Sequence, residues 1–132
     1  MKNTKSAKKS TNKKSSTTTK KPVTAVVVLR RALKLIESGW TRGSDARNHG
    51  GDPVSPEHSS AQRFCAQGAL TRAMHDLKVA SKTVNRACGL LDDVAKENRF
   101  NMIEDLNDAA KSKKPVIAAF NTAIKRAEIK KK

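Results

Sequence analysis

Lysine is the residue best placed to do chemistry at the start of this chain, where it recurs every few positions. Ammonium groups spaced by Ser, Thr and Asn can neutralise phosphates and gain affinity from counterion release, with no fixed geometry. The segment has no aromatic residue to stack on bases and no Arg for bidentate base contacts, so such binding would be independent of sequence. Residues 1–22 contain eight lysines and no acidic residue, namely Lys2, Lys5, Lys8, Lys9, Lys13, Lys14, Lys20 and Lys21.

The end of the chain is basic as well, and closes on Lys130, Lys131 and Lys132. The chain of 132 residues has 28 Lys and Arg against 12 Asp and Glu, a formal net charge of +16, of which residues 1–22 carry +8 and residues 125–132 carry +4. A charge of this sign and distribution favours acidic partners, nucleic acid first. We therefore predict non-catalytic, sequence-independent nucleic-acid binding through the arm and these last lysines. A solubilising arm, or one that docks on an acidic protein, is the alternative.

A second candidate site lies near the middle of the chain, where aromatic and charged residues cluster. Trp and Arg are typical anchors of binding surfaces, so Trp40, Arg42 and Arg47 are candidate partner-binding residues. They would make residues 40–58 the contact loop of a protein-interaction module. In the structural alternative, Trp40 covers the core where the first helix ends, and Arg47 pairs with Asp45 or Asp52.

Cys65 is the candidate nucleophile of a third hypothesis, a small Cys-dependent enzyme. A reactive cysteine needs exposure and a lowered pKa, and the predicted place of Cys65, about ten residues into an apolar helix stripe, provides neither. Cys88 is interpreted in the same way, as a buried apolar residue. Two cysteines form no disulfide framework, which favours a reducing compartment. We expect no enzyme and no catalytic residue.

The histidines and acidic residues of the central loop are candidate metal ligands. The spacing of His49, Asp52 and His58 matches no zinc signature and lacks a fourth ligand. Gly50 and Gly51 precede Asp and Pro rather than the Lys-Ser/Thr pair of a phosphate-binding loop. The sequence therefore predicts no metal and no cofactor.

Helical periodicity dominates the rest of the chain and predicts a mainly α-helical, compact bundle of about five helices. A first helix over Val23–Ser38 should end at Gly39, which is a suitable C-cap. Residues 40–56 read as a long loop or a short β-hairpin turning at His49–Asp52. The remaining four helices are expected from Ser55-Pro56-Glu57 to Leu77, from Ser81 to about Ala95, around Phe100–Leu106, and from Pro115 to Ala127. Gly68, inside the second of the five, should admit a neighbouring backbone.

Apolar residues mark the boundary between this bundle and the basic arm. Of the 48 apolar residues, 46 lie among the 110 residues from Val23 onward. Residues 1–22 cannot bury enough apolar surface to offset their ordering entropy, so they should form a disordered arm. We predict an arm over 1–22, a helical domain over 23–129 and a basic end over 130–132. No apolar run is long enough to span a membrane and no signal sequence is recognisable, so a cytoplasmic location is expected, with the nucleoid as a further candidate.

A string of motifs resembles a known family. The motifs are Trp40-Thr41-Arg42-Gly43, Ala46-Arg47-Asn48, Gly51-Asp52-Pro53-Val54-Ser55-Pro56 and Arg63-Phe64-Cys65-Ala66-Gln67-Gly68-Ala69-Leu70, with a later Leu106-Asn107-Asp108 step. Together they resemble an uncharacterised small domain-of-unknown-function family of bacteria, notably actinobacteria, and their phages. The resemblance spans about Val23 to Ala127 and implies a shared fold but no catalytic residues. The Lys-rich arm is not part of the pattern.

Overall fold

The computed structural model describes residues 24–130, which form five helices and one short pair of strands. In chain order these are α1 (Ala25–Ser38), β1 (Ala46–Arg47), β2 (Arg63–Phe64), α2 (Ala66–Leu77), α3 (Ser81–Glu97), α4 (Ile103–Ala109) and α5 (Lys114–Lys130). The predicted mainly α-helical architecture of five helices is confirmed. The predicted arm lies outside the described residues, as do Lys131 and Lys132.

Helix α1 is the central element, and it packs against α2, α3 and α5. Although its three consecutive valines would also suit a strand, Val26 and Val28 are buried on its inner side and Val27 is exposed, as helical periodicity requires. The helix ends where predicted, because the Gly39 N–H donates to the Leu35 carbonyl at 3.0 Å.

The core is built from the apolar faces of all five helices. Its largest fully buried side chains include Phe120, Leu29, Ile36, Leu70 and Leu91. Phe100, which was expected within the fourth helix, precedes it, and Pro115 falls one residue after the start of α5. Within residues 24–130, no helix combines the length and the apolar character needed to cross a bilayer.

The start of the second helix was predicted wrongly. Ser55-Pro56-Glu57 opens a series of turns rather than a helix, with the His58 N–H donating to the Ser55 carbonyl at 3.0 Å. The chain then extends into β2, and α2 begins only at Ala66. The extended segment prevails because its backbone groups pair with a distant part of the chain, which a helical pattern does not reveal.

The central loop, residues 39–65, makes a tight turn at the predicted position. The Asn48 N–H donates to the Asp52 carbonyl at 2.9 Å, and Arg47 bridges to Pro53 across the turn. The sustained partner of β1 is nevertheless β2, antiparallel, with Ala46 opposite Phe64. The loop therefore folds back on itself and delivers the chain to the start of α2.

Candidate functional site

Asn107 joins the central loop to α2 and α4, and its side chain is completely buried. Its Oδ1 accepts hydrogen bonds from Trp40 Nε1 and from the Ala66 backbone N–H, both at 3.0 Å. Its Nδ2 donates to the Thr41 carbonyl at 3.2 Å. These partners belong to two other segments, Trp40 and Thr41 to the central loop and Ala66 to the start of α2, so Asn107 fixes how the loop and the two helices pack together.

Arg42 ties the same loop to the end of α4. Its Nη1 donates to the carbonyl oxygens of Ala110, at 2.8 Å, and Asp108, at 3.3 Å. These carbonyls lie at the C-terminal end of the helix, where a cation is favourable. The Asp108 carboxylate in turn accepts from the Gly43 N–H at 3.1 Å.

Arg47 holds the loop together from within. Its Nε donates to Thr41 Oγ1 at 2.9 Å and its Nη1 to the Gly51 carbonyl at 2.9 Å. The expected pairing with Asp45 or Asp52 is replaced by these neutral acceptors. Of the three candidate partner-binding residues, Trp40 and Arg47 are half-buried and Arg42 is exposed, and all three use polar groups to hold the fold.

Cys65 occupies the N-cap of α2, rather than a position ten residues into a helix. It is buried, as expected, and its Sγ accepts from the Gly68 N–H at 3.2 Å. Burial raises the pKa of the Cys65 thiol to about 12; the Gly68 hydrogen bond opposes this rise and the charge of Asp45 adds to it. The thiol is therefore protonated near neutral pH, the opposite of an activated nucleophile.

Cys88 lies half-buried on α3. Burial, and then the charge of Asp92, raises the pKa of its thiol to about 11.

The three residues considered above as metal ligands are all exposed, namely His49, Asp52 and His58. The Nδ1 atom of His58 accepts a hydrogen bond from the Ser60 N–H at 3.0 Å. Among residues 24–130, no three His, Cys, Asp or Glu side chains come together in a way that could hold a metal ion.

Gly68 meets its predicted role. A Cβ added to it would lie 1.8 Å from the Asp45 carbonyl oxygen, far inside any allowed contact. That carbonyl also accepts from the Cys65 N–H at 3.1 Å. The motif glycine therefore lets the loop backbone lie directly on the first turn of α2.

Acidic side chains gather near this end of the bundle. Burial raises the pKa of Glu104, and the nearby charges of Asp45, Asp108 and Asp105 raise it further. Exposed cations lie near the same end, among them Arg42, Arg63 and Lys111, so the loop end carries charges of both signs.

The opposite end of the bundle holds both points at which the described chain begins and ends. Helices α1 and α5 are antiparallel, because Arg30 pairs with Glu128 near one end and Lys113 Nζ donates to the Glu37 carbonyl at 2.8 Å near the other. A groove of about 680 Å³ lies there, lined by Thr24, Ala25, Val26, Arg86, Gly89, Leu90, Asp93 and Ala127. We call the surface formed by the start of α1, the first half of α3 and the end of α5 the terminal end.

Taken together, the elements define a small helical domain whose central loop is held by a buried amide, and in which the start of α1 and the end of α5 lie on one side. The chain belongs to the Family of unknown function (DUF6197), whose model matches residues 20–126. This confirms the expected membership of an uncharacterised domain family. No curated protein and no solved structure matches the chain.

The terminal end was not foreseen from the sequence as a site, since its residues are far apart along the chain. One local signal was present. Gly89 interrupts an otherwise regular helical pattern in α3, and such a glycine often marks a place where something approaches the helix closely.

Proposed function

We propose that this protein binds nucleic acid without catalysing a reaction, through phosphate contacts from its basic arm and its last three lysines, with the helical domain as scaffold. The observation that carries the proposal is the run of eight lysines with no acidic residue in residues 1–22. All 12 acidic residues of the chain lie between residues 37 and 128, so none of them interrupts the arm.

The fold supports this proposal, because the two basic segments join the described part of the chain on one side of the domain. Thr24, just before α1, and Ala127, near the end of α5, line the same groove, although more than 100 residues separate them in sequence. A single polyanion could then contact the arm and Lys130, Lys131 and Lys132 at once. Linking two weak contact sets in this way raises affinity without any new contact.

The charges of the domain itself favour the arm as the main contact. Several of its cations are already paired with acids: Arg30 with Glu128, Arg31 and Arg72 with Asp76, and Arg126 with Glu97. The polar groups of Trp40, Arg42 and Arg47 are used within the fold, so the alternative of a protein-binding loop has less support. The protonated Cys65 gives the enzyme hypothesis less support still. We place the protein in the cytoplasm or at the nucleoid, in keeping with two cysteines that form no disulfide.

The test is a titration of the full-length protein against a labelled duplex DNA of about 20 base pairs at several salt concentrations. Changing all eight arm lysines to Gln should reduce the slope of log K against log salt by about 7, at 0.9 per phosphate. The same eight positions changed to Arg should keep the slope, because charge and not side-chain geometry determines the contact.

A matched pair of triple variants tests the convergence of the two ends. Changing Lys130, Lys131 and Lys132 to Gln should reduce the slope by about 3. Changing Lys34, Lys111 and Lys114 to Gln, three exposed lysines away from the terminal end, should leave it nearly unchanged. Equal affinity of the wild type and the arm Gln variant at every salt concentration would refute the proposal.

A further inference from the structure

The first half of α3 presents one exposed face at the terminal end. Lys82, Asn85, Arg86 and Gly89 are all exposed, and their spacing of three and four residues places them in one row along the helix. Within residues 24–130, neither Lys82 nor Arg86 takes part in an ion pair. Two cations are therefore available on this face beside the attachment point of the arm.

Gly89 opens space in the middle of this row. A Cβ added there would meet no atom within 4 Å, and its backbone is not in the left-handed region, so neither packing nor conformation within the described chain requires a glycine. Glycine weakens a helix relative to alanine. Position 89 is therefore open to added side chains, and a charge placed there would lie in the same row as Lys82 and Arg86.

One acid lies close to this row. Asp93 is exposed and lines the same groove as Arg86. Its charge contributes to the raised pKa of Arg126 on α5, but the ion pair of Arg126 is with Glu97. Lys82, one turn before Arg86, therefore gives the row two cations against one acid.

We propose that this face of α3 contacts the nucleic-acid backbone on the folded domain, with Lys82 and Arg86 neutralising phosphates beside the open position of Gly89. The inference rests on the proposed function and extends it, since it assigns direct contacts to the scaffold.

Position 89 offers the sharpest experiment, because side chains can be added there without a clash. Gly89→Lys should increase the salt slope on duplex DNA by about 1, and Gly89→Glu should weaken binding roughly tenfold at low salt. Gly89→Ala should bind within twofold of the wild type. All three should melt at or above the wild-type temperature, because each residue favours helix over glycine.

A matched pair of double variants supplies the second part of the test. Lys82→Gln with Arg86→Gln should reduce the salt slope by about 2, whereas Arg63→Gln with Lys111→Gln, two exposed cations toward the loop end, should leave it unchanged. Equal DNA affinity of Gly89→Lys and Gly89→Glu would overturn the inference. A change in sedimentation with unchanged DNA affinity would instead assign the face to self-association, and would also overturn it.

The two proposals fail in different ways. If the arm Gln variant loses binding while every α3 variant binds like the wild type, the α3 seat is wrong and the arm still binds nucleic acid. If the wild type itself does not bind duplex DNA, the proposed function fails and the α3 inference fails with it.

Discussion

At the scale of single residues, the buried side-chain amide of Asn107 provides hydrogen-bond partners for polar groups of several segments. It satisfies the indole N–H of Trp40, the first backbone N–H of α2 at Ala66 and the Thr41 carbonyl. Removing a buried hydrogen-bond partner leaves each of these groups desolvated and unpaired. Two of the motifs picked out in this sequence therefore have a shared structural explanation, since Trp40 and Asn107 belong to one network.

Asn107→Leu should destabilise the protein by about 3 kcal/mol or more, since three buried polar groups lose their partner. Chemical denaturation of the full-length chain measures this loss. The control is Asn101→Leu, at an exposed position before α4, which should change stability by less than about 0.5 kcal/mol. A loss below about 1 kcal/mol for Asn107→Leu would mean that the network does not hold the loop.

Cys65 allows a second prediction at this scale. Because its thiol is buried and its pKa is raised to about 12, iodoacetamide at pH 7.5 should alkylate it on the order of 100-fold or more slowly than in the unfolded chain. A Cys88→Ser variant isolates the Cys65 signal. Labelling as fast in the native as in the denatured protein would contradict the buried placement and revive the nucleophile hypothesis.

At the scale of elements, Asp76 connects helix α1, helix α2 and the central loop. Its carboxylate accepts from Arg31 Nη2 at 2.6 Å and from Arg72 Nε at 3.0 Å. Arg72 also donates to the Pro56 carbonyl at 3.0 Å and lies over the Phe64 ring, 5.9 Å from its centroid. One acid and one arginine thus hold the turn segment that replaces the predicted helix start.

The pH dependence of stability should reveal this connection. Burial acts to raise the pKa of Asp76, but the hydrogen bonds from Arg31 and Arg72 outweigh it, so the pKa is lowered. A carboxyl with a lowered folded-state pKa stabilises the protein above the unfolded value of about 4, and this contribution disappears as pH falls through the folded-state pKa.

Asp76→Asn should therefore cost about 1–2 kcal/mol at pH 7, and the difference from wild type should shrink below about pH 4. Denaturant midpoints across the pH range measure both effects. Asp52→Asn, at an exposed loop position, serves as the control and should follow the wild type. A difference that stays constant down to pH 2 would show that the ionised carboxylate is not the stabilising group.

At the scale of the whole molecule, the excess of positive charge lies in the two basic segments of the sequence. Residues 1–22 carry +8 and residues 125–132 carry +4, whereas the 102 residues between them carry the remaining +4 of the total of +16. Under the proposed function, a polyanion would contact these basic segments on the side of the domain where α1 begins and α5 ends. The salt titrations of the arm, the last lysines and α3 test this arrangement as a whole.

Helix positions were largely predictable, while the connections between them were not. Helices α1, α3 and α5 follow directly from apolar periodicity and from end signals such as Gly39, Ser81 and Pro115. The start of α2 could not be predicted, because residues 55–65 satisfy their backbone through Arg47 and Gly39, which are distant in sequence. For the same reason the pairing of β1 with β2 was missed.

The candidate site divides in the same way. The arm lysines could be identified from the sequence, because charge and composition do not depend on the fold. Trp40 and Arg42 donate to acceptors more than 60 residues away in the sequence. The local pattern therefore identified Trp40, Arg42 and Arg47 as candidates but could not predict what their side chains contact. Arg86 and Gly89 became candidate site residues only in the tertiary structure, where they line a groove with the start of α1.

The sequence by itself determined the helical class, the basic excess and its concentration at the two ends, because periodicity and charge are local properties that each segment carries alone. Only the tertiary structure decided that Asn107 closes the loop, that Cys65 is a buried N-cap, and that the start of α1 and the end of α5 lie beside α3. These features depend on contacts between segments far apart in the chain, and such contacts form only when all the apolar faces are buried together.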